Sequence, residues 1–250
     1  DVGYIDLQVN GYGGVDFNSD DLSPEDLHRA CHCLKGDQVA GVLVTFITDD
    51  VELMGRRMGR LVELREGDPL AQQMIQGIHI EGPFISPAPG FVGAHPTQHA
   101  RPAELDAMQR LLDAAGGLTR LVTLAPEQDQ GFAVTGHLAA KSICVSAGHC
   151  DPSLELFDEA IDMGVSMFTH LGNGCPMSLH RHDNIIQRVL SRADRLWITF
   201  IADGAHVAFP ALGNYLRCVG MENSIVVTDA IAAAGQGPGC YTVGSQSVTV

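Results

Sequence analysis

The stretch Ser142–Leu171 reads SICVSAGHCDPSLELFDEAIDMGVSMFTHL and contains the pattern that decides the fold. Two nearly continuous apolar runs, Ser142–His149 and Val165–Leu171, flank a segment, Pro152–Met163, in which apolar residues recur at helical spacing. Apolar runs of this kind are typical of strands that are buried on both faces of a parallel sheet. The stretch therefore predicts a strand, a helix and a second parallel strand.

The same pattern recurs from one end of the chain to the other. Further strands are predicted at Tyr4–Val9, Val42–Thr48, Met74–Glu81, Leu118–Leu124, Leu196–Ala202 and Ser224–Thr228. Further helices are predicted at Pro24–Leu34, Glu52–Arg65, Pro102–Ala115, Glu127–Ala139, Asn184–Arg192 and Phe209–Val219. An open doubly wound sheet is the alternative, but eight evenly spaced strands with seven helices between them favour a (β/α)8 TIM barrel.

Local signals mark some boundaries of these elements. Ser23 and Asp151 each precede a proline, which predicts a capped helix start at both places. The loop Ser86–Arg101 is rich in Pro and Gly and contains two His, so we expect a functional lid there. The final segment, Tyr241–Val250, alternates in polarity and predicts the beginning of a hairpin.

Composition limits the possible partners. The 250 residues include 15 Lys and Arg against 30 Asp and Glu, a formal charge of −15 that disfavours nucleic acid and membrane surfaces. The seven cysteines are odd in number and irregular in spacing, which favours a cytoplasmic location over a secreted one. The length suits one large domain, and we expect residues 1–250 to be a catalytic barrel cut from a longer protein.

Polar residues follow several of the predicted strands, at the end where barrel active sites form. Glu81, His149 and His170 offer two imidazoles and a carboxylate, a metal-ligand set that leaves a position open for water. Asp229, after the eighth strand, would then be the general base. Taken singly, each His could be an ordinary loop residue, Glu81 could cap a turn and Asp229 could cap a helix. Their convergence on one barrel mouth favours the metal site.

Several motifs occur in an order that is specific to one enzyme family. They are the segments Tyr4–Gly11, Gly77–Phe84, Gly93–His95, Ser146–His149, Thr169–Asn173, Ala202–Val207 and Val227–Ala230. On these motifs the chain resembles the N-acetylglucosamine-6-phosphate deacetylases of the amidohydrolase superfamily. The resemblance implies that Glu81, His149 and His170 are the metal ligands, that Asp229 is the catalytic aspartate and that His95 polarises the substrate carbonyl.

The resemblance also implies a substrate site and a partner subunit. The substrate-binding positions would be Ala94, Asn173, Gly174, Arg181, Asp203, Gly204, Ala205 and His206. Arg181 and His206 would lie near the phosphate, although a surface ion pair with Asp183 is the alternative for Arg181. Members of the family are homodimers in which the neighbouring subunit completes the phosphate site. They also carry a final helix and a small β-sandwich, which we do not find in this sequence.

The first-strand motif predicts how many metal ions are bound. Many superfamily relatives carry His-x-His there and hold two metals, whereas this chain has Gln8 and Asn10. Because neutral amides are poor ligands for divalent transition metals, we expect one ion, with Gln8, Asn10 and His79 supporting its ligands. Zinc suits two imidazoles and a carboxylate, and Fe(II) is the alternative.

The resemblance implies a metal-dependent enzyme of amino-sugar catabolism that hydrolyses N-acetylglucosamine 6-phosphate to glucosamine 6-phosphate and acetate. The residues Gly172, Gly174 and Cys175 depart from the usual family pattern, which leaves the exact sugar open. One alternative is therefore a deacetylase of another N-acyl amino sugar. Another is a non-catalytic barrel that binds a sugar phosphate. In each case the overall negative charge requires a local cationic pocket for the phosphate.

Overall fold

The computed structural model describes residues 3–243 and 246–249 of the chain. Eight parallel strands form one sheet in which neighbours in sequence are neighbours in space. The strands are β1 (Tyr4–Val9), β2 (Val39–Ile47), β3 (Ile75–Glu81), β4 (Thr119–Leu124), β5 (Cys144–Ala147), β6 (Val165–Phe168), β7 (Trp197–Ile201) and β8 (Ser224–Val227).

Helices alternate with these strands along the chain. The described residues form α1 (Pro24–Gly36), α2 (Val51–Glu66), α3 (Pro69–Met74), α4 (Leu105–Ala114), α5 (Ala133–Ala140), α6 (Leu154–Met163), α7 (Ile185–Leu190) and α8 (Phe209–Val219). The sequence did not predict α3, because a six-residue helix is too short to show a clear period. No helix within the described residues is long and apolar enough to cross a membrane.

The two ends of the strand series meet. Val9, the last residue of β1, bridges in parallel to Ala230, which follows β8, and the Asn10 amide donates to the Ala230 carbonyl at 2.7 Å. A parallel sheet in sequence order whose first strand is bonded to the chain after its last strand is a (β/α)8 barrel. The predicted fold class is confirmed.

The helix starts agree with the prediction only in part, and the one predicted from Pro102 begins at Leu105. Ser23 caps α1 as predicted, accepting the Asp26 amide at 3.1 Å. Asp151 does not cap α6, because Ser153 accepts the Leu156 amide at 3.2 Å and the helix begins after it. The predicted helix from Glu127 begins only at Ala133, since Gly131 and Phe132 have left-handed backbone angles that interrupt it.

The chain divides into two compact units. The first comprises Asp1–Ile80, Gln109–Arg120 and Thr228–Val250, and the second comprises Glu81–Met108 and Leu121–Val227. Within the first unit, α1 and α2 bury Leu27, Leu34, Met58 and Leu61 almost completely. Within the second unit, Phe157 of α6 and Phe168 of β6 meet edge to face with ring centroids 6.3 Å apart. The single domain expected from the sequence stays a prediction.

The predicted terminal hairpin is present in the described residues. Cys240–Val243 pairs antiparallel with Gln246–Thr249 in the first unit. Val250, the last residue of the predicted segment, lies outside the described residues.

Candidate active site

Three polar side chains of the second unit converge at the ends of β3, β5 and β6. Nε2 of His170 lies 3.0 Å from Oε1 of Glu81, and Nε2 of His149 lies 3.2 Å from the same oxygen. The two Nε2 atoms are 3.1 Å apart. All three side chains are buried, with no more than 6% of any of them exposed. The structure therefore brings together the three residues that the sequence predicted as metal ligands.

The tautomer of His149 follows from its second nitrogen. Nδ1 of His149 lies 2.7 Å from the carbonyl oxygen of Phe91. A carbonyl can only accept a hydrogen bond, so Nδ1 carries the hydrogen. In the neutral imidazole, Nε2 then presents a lone pair towards Glu81 and His170. This second contact is typical of metal-binding histidines, whose other nitrogen commonly donates to a carbonyl or carboxylate.

A divalent cation fits this arrangement. Ligand atoms placed about 2.0–2.2 Å from a tetrahedral zinc ion lie about 3.3–3.6 Å from one another. The three atoms of Glu81, His149 and His170 are 3.0–3.2 Å apart, so a small outward shift gives that geometry. When the hydrogen of each neutral imidazole is on Nδ1, all three atoms are acceptors, and a cation would satisfy them together. The donor set therefore supports a divalent metal ion.

The carboxyl group of Glu81 is held in its ionised form. Burial raises the pKa of Glu81, but when no cation is bound, hydrogen bonds donated to it by protonated His149 and His170 outweigh burial and hold the pKa well below its ordinary value. An ionised carboxylate is the form that binds a metal.

A fourth side chain, His95, lies beside this group. Its ring centroid is 4.4 Å from that of His149, and only 7% of the residue is exposed. Ligand atoms of Glu81, His95 and His149 all lie within 4.8 Å of one another. His95 comes from the predicted loop at 86–101. Its ring is close enough to contact a molecule bound to an ion held by Glu81 and His149.

Backbone strain marks the strand ends that carry these groups. His149, His170 and Asp229 have φ angles of 52°, 36° and 51°, in the left-handed region that non-glycine residues rarely adopt. The His149 carbonyl accepts the Ser86 amide at 3.0 Å, and the His170 amide donates to Oγ1 of Thr199 at 2.7 Å. Strain of this kind persists only where the surrounding bonds hold it, and it is concentrated at functional sites.

Two glycines enclose the imidazole of His149. A Cβ atom at Gly93 would lie 3.2 Å from Cε1 of His149, and one at Gly174 would lie 3.0 Å from its Nδ1. Both glycines also have left-handed φ angles, of 59° and 60°. Any other residue at either position would press on the ring, so these glycines help to fix its orientation.

In the first unit, Asp229, the predicted general base, is hydrogen-bonded to Asn10. Nδ2 of Asn10 donates to Oδ1 of Asp229 at 2.6 Å, while Oδ1 of Asn10 is buried without a hydrogen-bond partner in the structure. No helix follows Asp229 in the described chain, so it is not a helix cap. The predicted role of Asn10 in supporting the metal ligands stays a prediction.

The other two predicted supporting residues are also buried in the first unit. Gln8 is 2% exposed, and its backbone amide donates to Oδ1 of Asp6 at 3.1 Å. His79 is completely buried on β3, and its Nδ1 lies 3.4 Å from Oγ1 of Thr45.

Known proteins resemble the chain over nearly its whole length. N-acetylglucosamine-6-phosphate deacetylase of Bacillus subtilis is 34% identical over 250 residues, which cover 99% of this chain and 62% of the relative. N-acetylgalactosamine-6-phosphate deacetylase of Escherichia coli O157:H7 is 30% identical over 98% of this chain and 63% of the relative. A similar solved structure is that of an aspartate-to-alanine variant of N-acetyl-D-glucosamine-6-phosphate deacetylase from Mycobacterium smegmatis, in complex with N-acetyl-D-glucosamine 6-phosphate. It superposes with a TM-score of 0.87 and is 28% identical in sequence. The match covers 99% of this chain and 62% of that one.

The resemblance to the N-acetylglucosamine-6-phosphate deacetylases is confirmed. No family model matches the chain. The chain spans about 62% of the length of the B. subtilis deacetylase that it matches.

The deacetylase resemblance assigned a substrate stretch to residues 203–206, and these four residues form a compact turn. Oδ1 of Asp203 accepts the amides of Ala205 and His206, each at 2.9 Å, and its Oδ2 lies 2.7 Å from Nδ1 of His206. Burial would raise the pKa of Asp203, but its hydrogen bonds with His206 and Ala205 outweigh burial and lower it. Gly204 has a left-handed φ of 80° and lies against the ring of Phe209.

The remaining positions of the deacetylase pattern lie after β6 and in the loop after β3. Both the amide and the side-chain Nδ2 of Asn173 donate to the His170 carbonyl, at 2.9 and 3.3 Å. Ala94 immediately precedes His95 and is exposed. Arg181 is exposed and forms no ion pair within the described residues, while Asp183 pairs with Nε of Arg188 at 2.7 Å. The alternative ion pair between Arg181 and Asp183 is therefore wrong.

Sequence reasoning missed the groups that orient the predicted ligands. Phe91 contributes a backbone carbonyl and Thr199 a hydroxyl, and neither residue type signals such a role in a sequence. The proximity of Ser86 and His95 to His149 could have been anticipated only from the length of their loop.

Proposed function

We propose that the chain hydrolyses the acetamide of N-acetylglucosamine 6-phosphate to glucosamine 6-phosphate and acetate, as a metal-dependent amidohydrolase. The convergence of Glu81, His149 and His170 within 3.2 Å, in a chain 34% identical to such a deacetylase, carries the proposal. One zinc ion is proposed there, with Fe(II) as the alternative, because two imidazoles and one carboxylate suit both metals.

When bound, the ion would lower the pKa of a water molecule and polarise the acetamide carbonyl. Asp229 is the proposed general base that removes a proton as water attacks the carbonyl carbon. His95 is the proposed donor to the carbonyl oxygen as negative charge develops there. Asp229 then returns the proton to the nitrogen as the carbon–nitrogen bond breaks, which gives the free amine and acetate. The bond from Asn10 keeps the base oriented throughout.

The sugar phosphate requires a local cation because the formal charge of the chain is −15. Arg181 is the proposed phosphate contact, since it is exposed and not engaged in an ion pair within the described residues. His206 is proposed beside it, and Ala94, Asn173, Gly174 and residues 203–205 are proposed to line the sugar site. A homodimer that completes the phosphate site and a cytoplasmic location are proposed with this function.

The decisive experiment measures acetate release and metal content on the same purified protein. The substrates are N-acetylglucosamine 6-phosphate, N-acetylgalactosamine 6-phosphate and unphosphorylated N-acetylglucosamine. We expect the first to be hydrolysed fastest and Asp229→Asn to lose about 10²–10⁴-fold in kcat while retaining its metal. Preferential hydrolysis of the galactosamine substrate would support the alternative sugar, which the E. coli relative favours. Bound metal without hydrolysis of any of them would support a non-catalytic binder.

A further inference from the structure

A buried carboxylate on β1 has no role in the reaction as proposed. Asp6 is only 7% exposed. Its Oδ2 accepts the hydroxyl of Thr228 at 2.6 Å, and both of its oxygens lie 3.3 Å from the Thr228 amide. Oδ1 also accepts the Gln8 amide at 3.1 Å. All of these groups belong to the first unit.

The hydroxyl of Thr228 connects Asp6 to the backbone of Ala230. Because an ionised carboxylate only accepts hydrogen bonds, the Thr228 hydroxyl must donate to Asp6. Its lone pair is then available to the Ala230 amide, which donates to it at 3.1 Å. Asp6 therefore fixes the residue before Asp229 directly and the residue after it through one hydroxyl. We call this set of bonds among Asp6, Thr228 and Ala230 the Asp6–Thr228 clamp.

The clamp surrounds a strained residue. Asp229 has a φ of 51°, a conformation that a non-glycine residue keeps only when its neighbours hold it. On the other side, the Ala230 carbonyl accepts the amides of Asn10 and Gly11 at 2.7 and 3.1 Å. The backbone on both sides of Asp229 is thus bonded to β1 and the turn that follows it, and its carboxylate meets Nδ2 of Asn10 at 2.6 Å.

A purely structural role for Asp6 would not require a carboxylate. Burial raises the pKa of Asp6, although its bonds to Thr228 and Gln8 oppose that effect, so ionised Asp6 is costly to bury. The parallel pairing of β1 with β2 and the bridge from Val9 to Ala230 already join the strands. What the carboxylate adds is the direction of the Thr228 hydroxyl, and therefore the backbone conformation on both sides of Asp229.

We propose that Asp6 is a positioning residue for the reaction, acting through Thr228 to hold Asp229 in the conformation that directs its carboxylate. This inference rests on the proposed function, in which Asp229 is the general base. Loss of the clamp lets the backbone of Asp229 relax towards an ordinary conformation, which turns the carboxylate away from Asn10. A displacement of about 1 Å at a reacting group can lower a rate about 10²-fold.

The test is a pair of substitutions at the hydroxyl. Thr228→Val removes the donor to Asp6 while keeping the branched shape, and Thr228→Ser restores a hydroxyl. For Thr228→Val we expect kcat on N-acetylglucosamine 6-phosphate to fall about 10–100-fold, with KM and metal content unchanged. Thr228→Ser should recover kcat to within about threefold of the wild-type value.

The matched control is Thr135→Val in α5. The Thr135 hydroxyl donates at 2.7 Å to Asp129, a 3% exposed carboxylate that also accepts two backbone amides. This variant loses the same kind of bond, so its melting temperature should fall while kcat stays at the wild-type value. An equal loss of kcat in Thr135→Val and Thr228→Val would overturn the proposal, because the effect would then reflect stability alone.

Crystal structures of the two Thr228 variants separate this proposal from the proposed function. In Thr228→Val we expect Asp229 to leave the left-handed region and to lose its contact with Asn10, and in Thr228→Ser to keep both. If the Val variant keeps both, the clamp does not position Asp229 and the proposal is wrong, whatever the activity. If wild-type protein releases no acetate, the proposed function fails and these structures alone decide the role of the clamp.

Discussion

The side-chain amide of Asn10 donates a 2.6 Å hydrogen bond to the carboxylate of Asp229, although 219 positions separate the two residues. The bond joins the end of β1 to the residues after β8, within one compact unit. It gives the side-chain amide of Asn10 a definite partner in the folded chain. The asparagine amide does not take up a proton at neutral pH. Asn10 can therefore hold the carboxylate of Asp229 without competing for the proton that the proposed base removes from water.

Replacing Asn10 by alanine should therefore lower kcat while leaving metal content unchanged. Hydrogen bonds to charged groups are worth about 1.5–3 kcal/mol, which corresponds to about 10–150-fold in rate. The control is Asn18→Ala, since Asn18 is equally buried at 6% exposed but its side chain, within the part of the chain that the structure describes, bonds only to the backbone of Thr45 and Ile47. Steady-state acetate release and elemental analysis on both variants measure the difference. Unchanged kcat in Asn10→Ala would remove Asn10 from the mechanism.

Glu81→Gln should lose most of the bound metal. The substitution removes the negative charge that faces His149 and His170, and neutral amides bind divalent transition metals poorly. Glu127→Gln is the control, because Glu127 is also largely buried but its carboxylate accepts the Asp151 amide at 2.7 Å. Elemental analysis after dialysis should show metal near one equivalent in wild type and Glu127→Gln. Full occupancy in Glu81→Gln would show that Glu81 is not a ligand.

Chelation of wild type should abolish acetate release, and added zinc should restore it.

Gly174→Ala should weaken metal binding through His149. The new methyl group would lie 3.0 Å from Nδ1 of His149, and the φ of 60° adds backbone strain. Gly131→Ala separates these effects, since Gly131 has a φ of 64° but a methyl group there would meet nothing within 4 Å beyond its chain neighbours. We expect both variants to lose about 1 kcal/mol of stability from the left-handed conformation, and only Gly174→Ala to bind zinc more weakly. Equal zinc affinities, measured by competition with a chelating dye, would contradict this prediction.

Tyr12 should make unfolding pH-dependent in alkaline solution. Burial and a 2.8 Å hydrogen bond to Asp37 raise the pKa of Tyr12 from 10.0 to about 12. The folded state thus holds the phenolic proton more tightly than the unfolded chain does. The resulting stabilisation is complete below pH 10 and is lost as the pH rises from 10 to 12. The free energies of unfolding of wild type and Tyr12→Phe, measured in urea, should therefore differ most below pH 10 and converge as the pH rises towards 12. A difference that stays constant with pH would contradict the prediction.

The sequence predicted the strands well because each one is a nearly continuous apolar run. It placed the start of β2 too late, since Ala40 and Gly41 lack the branched side chains that mark a strand. Glu81, His149 and His170 could be predicted because each is a polar residue at or next to the C-terminal end of such a run. The clamp at Asp6 could not, because its partner Thr228 lies 222 positions away and no local pattern links the two.

The glycines on either side of His149 have a consequence for how an ion enters the site. Because backbone encloses the imidazole and the Phe91 carbonyl holds its second nitrogen, the ring has little freedom to rotate away when no ion is bound. The protein therefore loses little conformational entropy on metal uptake, and the competent arrangement exists beforehand. Depleted enzyme should regain full activity at the speed of a simple bimolecular encounter, with no slow phase of refolding around the ion.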